Sequence, residues 1–447
     1  MNRYHWFVLI VAALGWLFDC LDQQLFNLAR VPAMKELLRT SAGPADPGTV
    51  ARFAGYSTSI FLIGWAIGGL VFGVLGDRIG RAKTMMITIL TYSIFTGLSA
   101  FSKGFWDFGL YRFLTGLGVG GEFAVGVALV AEVMPDRARP YALGLLQALS
   151  AVGNVTAAGI SMWFGHLETT GVMGETAGWA AWRWMFVVGA LPALLALVIR
   201  ARLREPERWQ AARQAGGRPL GSYKELFGHP VWRRHALLGM VLACAGVIGL
   251  WGIGFFVIDL QRSVFTKSFT AQGVAADQIP GQVTYWAGVT SMILNLGAFL
   301  GMLAFSRVTQ AIGRRPAFAI AFVLAMFSTA GVFWFFRDIS QLWMIFIMGF
   351  CLLAVFGGYA IYFPELFPTH LRSTGVSFCY NVGRLVAAAG PTALGLLTSG
   401  VFADKPEPMR YAGVTMCAVF LLGLVVLPFC PETKGKPLPE DEPAAAH

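Results

Sequence analysis

The chain has 447 residues, 56% hydrophobic and only 13% charged, with a mean hydropathy of +0.63, which excludes a soluble globular domain. A formal net charge of +10 raises nucleic-acid binding, but the basic residues form no stripe and gather in short loops, so membrane topology explains the charge. The six cysteines, Cys20, Cys244, Cys351, Cys379, Cys417 and Cys430, lie in apolar stretches with no CxxC pair; neither disulfides nor a metal site is indicated, and they read as small apolar residues.

Twelve apolar runs follow in order, at 6–30, 53–76, 84–101, 105–132, 141–166, 181–202, 235–260, 284–306, 316–337, 340–364, 374–400 and 411–430. Each is long enough to cross a hydrocarbon core of about 30 Å as a helix. The first begins close to the N-terminus and no small-residue cleavage site follows it, so it reads as a retained helix and not a removed signal peptide. An even count puts both termini on one side. Most of the 34 Lys and Arg residues fall in the first segment, the even-to-odd loops and the tail, which makes that side cytoplasmic and the setting a bacterial inner membrane.

The longest polar segment, 203–234, divides the chain into an N-terminal six-helix bundle (1–202), a cytoplasmic linker, a C-terminal six-helix bundle (235–430) and a cytoplasmic tail (431–447). Within the linker, Ser222 to Phe227 reads either as a short amphipathic helix on the membrane surface or as a solvated connection. The Pro-rich, acidic tail after Lys436 is expected to be disordered.

The first span carries Asp19, Asp22, Gln23, Gln24 and Asn27 where hydrocarbon is expected. An ionised group at mid-membrane costs about 3 kcal/mol, so such residues face protein or a wet cavity. Asp19 and Asp22 share a helix face with Gln23 and Phe26. Two like charges so close in a membrane do not both ionise, which makes the pair a candidate proton carrier; the alternative is that they cap internal helix contacts. Span four adds Arg112 and Glu122, about 15 Å apart along the helix and so unable to pair with each other. Glu122 is a second protonatable site on a cavity or a protonated carboxyl hydrogen-bonded to a neighbouring helix. Arg384, near the middle of span eleven, is the best candidate for gripping an anionic substrate, because a planar guanidinium meets a carboxylate bidentately; the alternative is a salt bridge within the second half. Tyr359, Tyr362, Tyr380, Asn381, Asn154, Trp251, Asn295 and Gln23 are candidate pocket residues, against packing or interface anchoring.

A repeat organises the rest. Glu132-x-x-Pro135-x-x-x-Arg139 after span four recurs as Glu365-x-x-Pro368-x-x-x-Arg372 after span ten, and at the same interval Gly80-Arg81 recurs as Gly313-Arg314. This implies two six-helix repeats related by duplication, with transport through their interface. Gly116 to Gly121 satisfies G-x-G-x-x-G but lies inside a membrane helix and follows no strand, so nucleotide binding is rejected. Gly64/Gly68, Gly69/Gly73 and Gly116/Gly120 instead form small-x-x-x-small faces for close helix packing.

Gly73-Val74-Leu75-Gly76-Asp77-Arg78-Ile79-Gly80-Arg81-Ala82-Lys83 resembles the G-x-L-x-D-R-x-G-R-x-K loop signature of the major facilitator superfamily. Glu132/Arg139, their repeat, and Pro431-Glu432-Thr433-Lys434-Gly435 resemble the branch of sugar porters and proton-coupled organic acid symporters. Asp19-x-x-Asp22, Gly120-Gly121-Glu122 and Gly383-Arg384 are most similar to the aromatic-acid and sialate symporters. The acid symporters usually read D-G-x-D in the first helix, where Cys20 and Leu21 stand here. The Gln-Gln pair usual in the seventh helix of sugar porters is replaced by Ala243 to Trp251, which weighs against a sugar.

The resemblance implies an all-α integral membrane protein of twelve transmembrane helices in two six-helix repeats, working by alternating access. It makes the first and fourth helices neighbours, so that Arg112 can pair with Asp22 or Asp19 and release it on protonation, unless Arg112 has a static partner of its own. It also implies an inner latch of Asp77, Arg78, Arg81 and the pairs Glu132/Arg139 and Glu365/Arg372. As exposed pairs these would add little stability, yet a small bias shifts a conformational equilibrium.

The expected function is import of a carboxylate such as an aromatic or sialic acid together with protons, by a chain acting as a monomer in the lipid bilayer. No cofactor is expected, the proton gradient being the driving force. All six histidines lie outside or at the edges of the spans, so carboxylates carry the protons. The rivals are a sugar or polyol porter, an exporter of amphipathic compounds, and a membrane sensor that binds without translocating. No metal-ligand spacing, nucleophile elbow or His-carboxylate cluster points to an enzyme.

Overall fold

The computed structural model describes residues 1–39, 43, 45–169, 179–215, 219–254, 256–276, 278–387 and 390–439, and each of the twelve expected spans is helical within them. In the first half these are α1 (Arg3–Leu37), α2 (Pro47–Ile79), α3 (Arg81–Ser99), α4 (Phe105–Val133), α5 (Arg139–Thr169), and a sixth span broken into α6 (Ala181–Val188) and α7 (Ala193–Arg202). The linker forms α8 (Glu207–Ala215) and α9 (Tyr223–Gly228). The second half contains α10 (Pro230–Val247), α11 (Phe256–Ala271), α12 (Ile279–Ile312), α13 (Arg314–Phe335), α14 (Leu342–Glu365), α15 (Arg372–Ala387), α16 (Gly390–Leu396), α17 (Pro408–Met416) and α18 (Val419–Val426).

Local chemistry sets several ends. Asn2 caps α1 by accepting the His5 amide at 2.8 Å, and Pro47 opens α2 where no amide is needed. Gly80 (φ +118°) and Gly313 (φ +100°) end α2 and α12 in a backbone region that a side chain disfavours, so α3 and α13 restart at the very next residue. That is the physical content of the repeated Gly-Arg motif. Span seven passes through a π-helical stretch at Ile248–Gly254 and span eleven through another at Leu397–Val401.

Among the described residues ten helices are long and apolar enough to cross a membrane. The third falls below that measure because it is polar, and the eleventh because its described helix, α15, has 16 residues. α3 carries Thr84, Thr88, Thr91, Ser93, Thr96 and Ser99, and α15 carries Ser373, Thr374, Ser377, Asn381 and Arg384. Thr88, Thr96, Ser99, Thr374 and Ser377 hydrogen-bond to other helices and not to lipid, which makes them tolerable at membrane depth.

The repeat governs packing. α2 packs on α4, α3 on α4 and α1 on α5; the equivalent pairs α12 on α14, α13 on α14 and α10 on α15 recur in the second half, and the halves meet along α5–α12 and α2–α15. Close approach depends on glycine: a Cβ at Gly64, Gly68, Gly116 or Gly120 would run into backbone atoms of the facing helix, as it would at Gly297, Gly301 and Gly349 in the second half.

The linker helices cap the end of the bundle that holds Gly80, Pro135, Gly313 and Pro368, called here the linker end. Trp209 Nε1 donates to the Asp77 carbonyl (2.7 Å), Tyr223 Oη to the Leu70 carbonyl (3.0 Å) and the Gly221 amide to the His370 carbonyl (2.9 Å). The Ser222 to Phe227 stretch is thus a helix with Ser222 as its N-cap and Leu226 buried, docked on protein across both halves. The expectation of disorder after Lys436 fails for its first residues: Leu438 is buried and Arg372 Nη2 donates to the Pro439 carbonyl (3.4 Å). The remainder of the tail, from 440, lies outside the described residues. All six cysteines are buried, in keeping with their reading as small apolar residues.

Candidate functional site

α1 brings Asp19 and Asp22 into the interior, and the two face different neighbours. Asp22 enters the core of the first half, where Thr96 Oγ1 donates to its Oδ1 at 2.5 Å and Arg112 Nη1 stands 3.9 Å from its Oδ2. Arg112 is fully buried. Its Nη2 donates to Ser99 Oγ (2.8 Å) and Thr115 Oγ1 (3.0 Å), and its guanidinium lies over Phe186, 4.7 Å from the ring centre. The expected Asp22–Arg112 pair is therefore formed, at the edge of ion-pair distance and bridged by the Thr96 hydroxyl, which Arg112 Nη2 reaches at 3.3 Å. A pair held this loosely in a dry core can be broken by a single proton.

Asp19 is 2% exposed, and its Oδ1 has no hydrogen-bond partner among the described residues. It lies in the electrostatic field of Glu122, Asp22 and Arg384. Glu122, on α4, accepts from Thr88 Oγ1 (2.6 Å) on α3 and packs against Gly15 of α1, where any side chain would strike its Oε1. Its own Oε1 is buried with no partner. Of the two alternatives for Glu122, the hydrogen bond to a neighbouring helix is present, and Asp19 lies close enough to interact with its carboxylate.

Arg384 projects from α15 to where the halves meet. Its Cζ is 3.8 Å from the ring centre of Trp65 on α2 and 4.2 Å from that of Tyr380. Nη1 reaches Asn381 Oδ1 at 3.4 Å, while Nε is buried with no partner among the described residues. The salt bridge within the second half, the bland alternative, is not formed by any described residue. The rings continue outward: Tyr380 stacks on Phe123 (4.3 Å), Phe123 meets Trp16 (4.9 Å), and Trp65 meets Trp251 edge-on (6.1 Å). An unpaired guanidinium under an aromatic lining, with a carboxylate from the other half nearby, can take an anion with a flat apolar body.

Other candidates are placed less uniformly. Asn381 is held by Ser377 (Nδ2 to the carbonyl, 3.0 Å) and packs on Gly69. Asn154 Nδ2 donates to Asn295 Oδ1 at 3.1 Å, linking α5 to α12 across the halves. Gln23 is half-buried on α1. Tyr359 backs Tyr380 (6.4 Å), but its hydroxyl donates to the Leu242 carbonyl (2.6 Å) and accepts the Gly246 amide (3.1 Å), so it ties α14 to α10. Tyr362 donates to the Pro431 carbonyl (2.7 Å) at the linker end and is not brought to Arg384. The packing alternative thus describes both tyrosine hydroxyls. Tyr359→Phe unties α14 from α10 but leaves the Leu242 carbonyl and Gly246 amide in i, i+4 register to pair with each other, so the cost is about 1 kcal/mol; thermal unfolding in detergent should show the loss, with ligand affinity unchanged.

The latch residues gather at the linker end, in pairs other than those expected. Glu132 Oε1 accepts from Arg81 Nη2 (2.9 Å) of its own half and from Arg372 Nη1 (2.7 Å) of the other. Asp77 pairs with Arg81 (3.0 Å) and crosses to α15, taking the amides of Ser373 (3.1 Å) and Thr374 (2.8 Å) as an N-cap. Glu365 is gripped by Arg314 (2.7 and 3.0 Å) and Thr433 (2.5 Å), not by Arg372. Arg139 bonds Asp136 and the Ala131 carbonyl (2.8 Å), not Glu132. Arg78 only reaches the Leu220 carbonyl (3.2 Å). The sequence-adjacent partners lose because helix geometry aims these side chains at neighbouring helices. The pairs are also not exposed: Arg81, Glu132 and Arg372 side chains have no accessible surface.

Sequence reasoning missed Trp65, Phe123 and Trp16. Aromatic rings in apolar helices carry no signal of their own; the available hint was that Trp65 sits beside the Gly64/Gly68 face, which fixes how closely α2 approaches its neighbours.

The sequence profile described as Major Facilitator Superfamily matches residues 12–391, and that described as Sugar (and other) transporter matches 339–444. A probable 4-methylmuconolactone transporter of Cupriavidus pinatubonensis is 29% identical over 97% of this chain and 92% of its own. A cis,cis-muconate transport protein of Acinetobacter baylyi is 30% identical over 78% of this chain and 79% of its own. Among solved structures, the proton:xylose symporter XylE of E. coli, bound to 6-bromo-6-deoxy-D-glucose, aligns with a TM-score of 0.74 at 19% identity, covering 97% of this chain and 98% of that one; this likeness is one of fold.

Proposed function

The chain belongs to the major facilitator superfamily of membrane transporters, and we propose that it is a proton-coupled symporter of an organic anion, a carboxylate metabolite such as an aromatic, muconate-like or sialic acid. The observation that carries this reading is Arg384: a guanidinium at the meeting of the halves, set over Trp65 and Tyr380 and lacking a carboxylate partner within ion-pair distance. The names of the muconate and methylmuconolactone transporters support an organic acid as cargo.

In this mechanism Arg384 takes the substrate carboxylate, bidentately through Nε and an Nη. Asp19 competes for Arg384 while ionised and yields it when protonated, so a proton and an anion load together. Glu122 shares the proton with Asp19 through their proximity. Asp22 and Arg112 form the second titrating unit, and its opening loosens α1 against α3 and α4. The linker end is the cytoplasmic end, so the state described is closed to the cytoplasm, and both termini lie in the cytoplasm of a bacterial inner membrane. The proton gradient supplies the driving force without a resident cofactor, and one chain suffices.

Reconstitution in liposomes tests the proposal. Labelled muconate, benzoate-type acids, sialic acid and a neutral sugar are offered with and without an inward proton gradient. Accumulation of one acid only with the gradient is expected. Accumulation of the sugar and of no acid would overturn the reading in favour of a sugar porter, and saturable binding without accumulation would favour a sensor. Asp22→Asn is expected to lose gradient-driven accumulation while keeping exchange of labelled for unlabelled acid, because a neutral side chain can no longer link return of the empty carrier to proton release.

A further inference from the structure

A second site lies on the lipid-facing surface, away from the transport pathway. Between the first turns of α13 and the end of α18 is a groove of about 400 Å3, lined by Arg315, Pro316, Ala319, Leu424, Leu427, Pro428 and Glu432. Its walls are apolar and run from the linker end toward mid-membrane. Beside it Ile320 (48%), Val425 (66%) and Phe429 (59%) are exposed, which in an integral membrane protein means exposure to acyl chains.

The mouth of the groove is positive. Arg315 Nη2 donates to the Pro428 carbonyl (3.0 Å), Arg234 Nη2 to the Phe429 carbonyl (3.3 Å) and Lys434 Nζ to the Ala311 carbonyl (2.8 Å). Each cation thus rests on a neutral carbonyl and none has a carboxylate within ion-pair distance among the described residues. Arg315 and Arg234 donate to carbonyls of consecutive residues, Pro428 and Phe429, which brings the two guanidiniums to the same turn. The acid that lines the groove among the described residues is already engaged: Glu432 accepts the backbone amides of Arg314 (2.9 Å), Arg315 (3.0 Å), Thr433 (3.0 Å) and Lys434 (2.9 Å). These four bonds hold its charge at the start of α13 and leave the guanidinium edges free.

We propose that this groove binds one anionic phospholipid, its phosphate between Arg315 and Arg234 with Lys434 at the rim, and its first acyl segment along Ala319, Leu424 and Leu427. Basic pockets between membrane helices at headgroup level favour anionic headgroups, each Lys or Arg there contributing on the order of a tenfold preference at most. An apolar slot continuous with that pocket distinguishes a lipid from a free anion, which has nothing to place in it. The site lies at the joint between the second-half helices and the Pro431 to Lys434 segment, so an occupied groove also braces the contact by which Thr433 holds Glu365.

The test uses the full chain purified in detergent, with native mass spectrometry as the readout and dioleoyl phosphatidylglycerol, dioleoyl phosphatidylcholine and inorganic phosphate as probes. One phosphatidylglycerol is expected to be retained, phosphatidylcholine at least about thirtyfold less. The double variant Arg234→Gln/Arg315→Gln is expected to lose that preference by roughly thirtyfold. Ala319→Trp, which fills the slot without touching a charge, is expected to lose phosphatidylglycerol as well, and it keeps the proposal testable if the double variant unfolds. Equal retention of both lipids, or phosphatidylglycerol held undiminished by Ala319→Trp, overturns the proposal. Displacement of phosphatidylglycerol by millimolar inorganic phosphate also overturns it, by making the site one for free anions.

Discussion

Replacing Arg384 with alanine is expected to abolish accumulation of the transported acid and to weaken its binding by roughly 100-fold or more. Two charge-assisted hydrogen bonds in a site shielded from water are together worth about 3 kcal/mol, even after the exchange with solvent is counted. Arg384→Lys separates charge from shape. It keeps the cation but loses the planar fork and the fit over Trp65 and Tyr380, so it should recover only part of the affinity, ending about tenfold below the natural protein. Binding of labelled acid to purified protein, beside uptake into liposomes, measures both. A fully active alanine variant would sink the carboxylate clamp; a lysine variant equal to arginine would leave charge alone as the determinant and remove the role given to the two rings. A neutral sugar, if carried at all, should be indifferent to both changes.

The parts of this site that were legible in the sequence were those where a charge interrupts hydrocarbon. Asp22 and Arg112 met because each had few other ways of being tolerated in the membrane, and Arg384 was conspicuous for the same reason. The repeat was equally informative about architecture. The interval that relates Gly80-Arg81 to Gly313-Arg314 also relates the Arg81–Glu132 pair to the Arg314–Glu365 pair, and every principal helix contact of one half recurs in the other. What stayed hidden was direction. Glu132 and Arg139 flank one turn, yet Glu132 reaches into the other half while Arg139 folds back on Asp136; nothing in local spacing distinguishes these outcomes. Tyr359 and Tyr362 have the right chemistry for a pocket, but their hydroxyls end on backbone carbonyls. The lining contributed by Trp65 and Phe123 was invisible because an aromatic ring among Leu and Ile looks like packing until its neighbours are known.

The asymmetry within that repeat identifies the residue on which the closed state rests. Arg372 crosses to Glu132, whereas its repeat partner Arg139 makes no ion pair with Glu365, so among the described residues a single carboxylate joins the basic residues of both halves. Glu132→Gln leaves Arg81 and Arg372 buried against one remaining acid, Asp77. Breaking a buried pair in this way costs about 3–5 kcal/mol when the structure cannot respond. A transporter can respond, because opening the linker end returns both guanidiniums to water. The cost should therefore appear as a population shift toward the open linker end, of roughly 100-fold or more, and not chiefly as unfolding. Transport should fall at least tenfold, and apparent affinity for acid added from the opposite side should fall in proportion to the lost closed population. Spin labels at the exposed Arg137 and Arg307, one in each half, should report longer distances in the Glu132→Gln protein. Asp136→Asn removes an exposed acid from the same loop and should change neither distance nor rate by more than about twofold. If the two variants behave alike, burial is not what gives Glu132 its role and the latch must be sought in the Asp77 cap on α15.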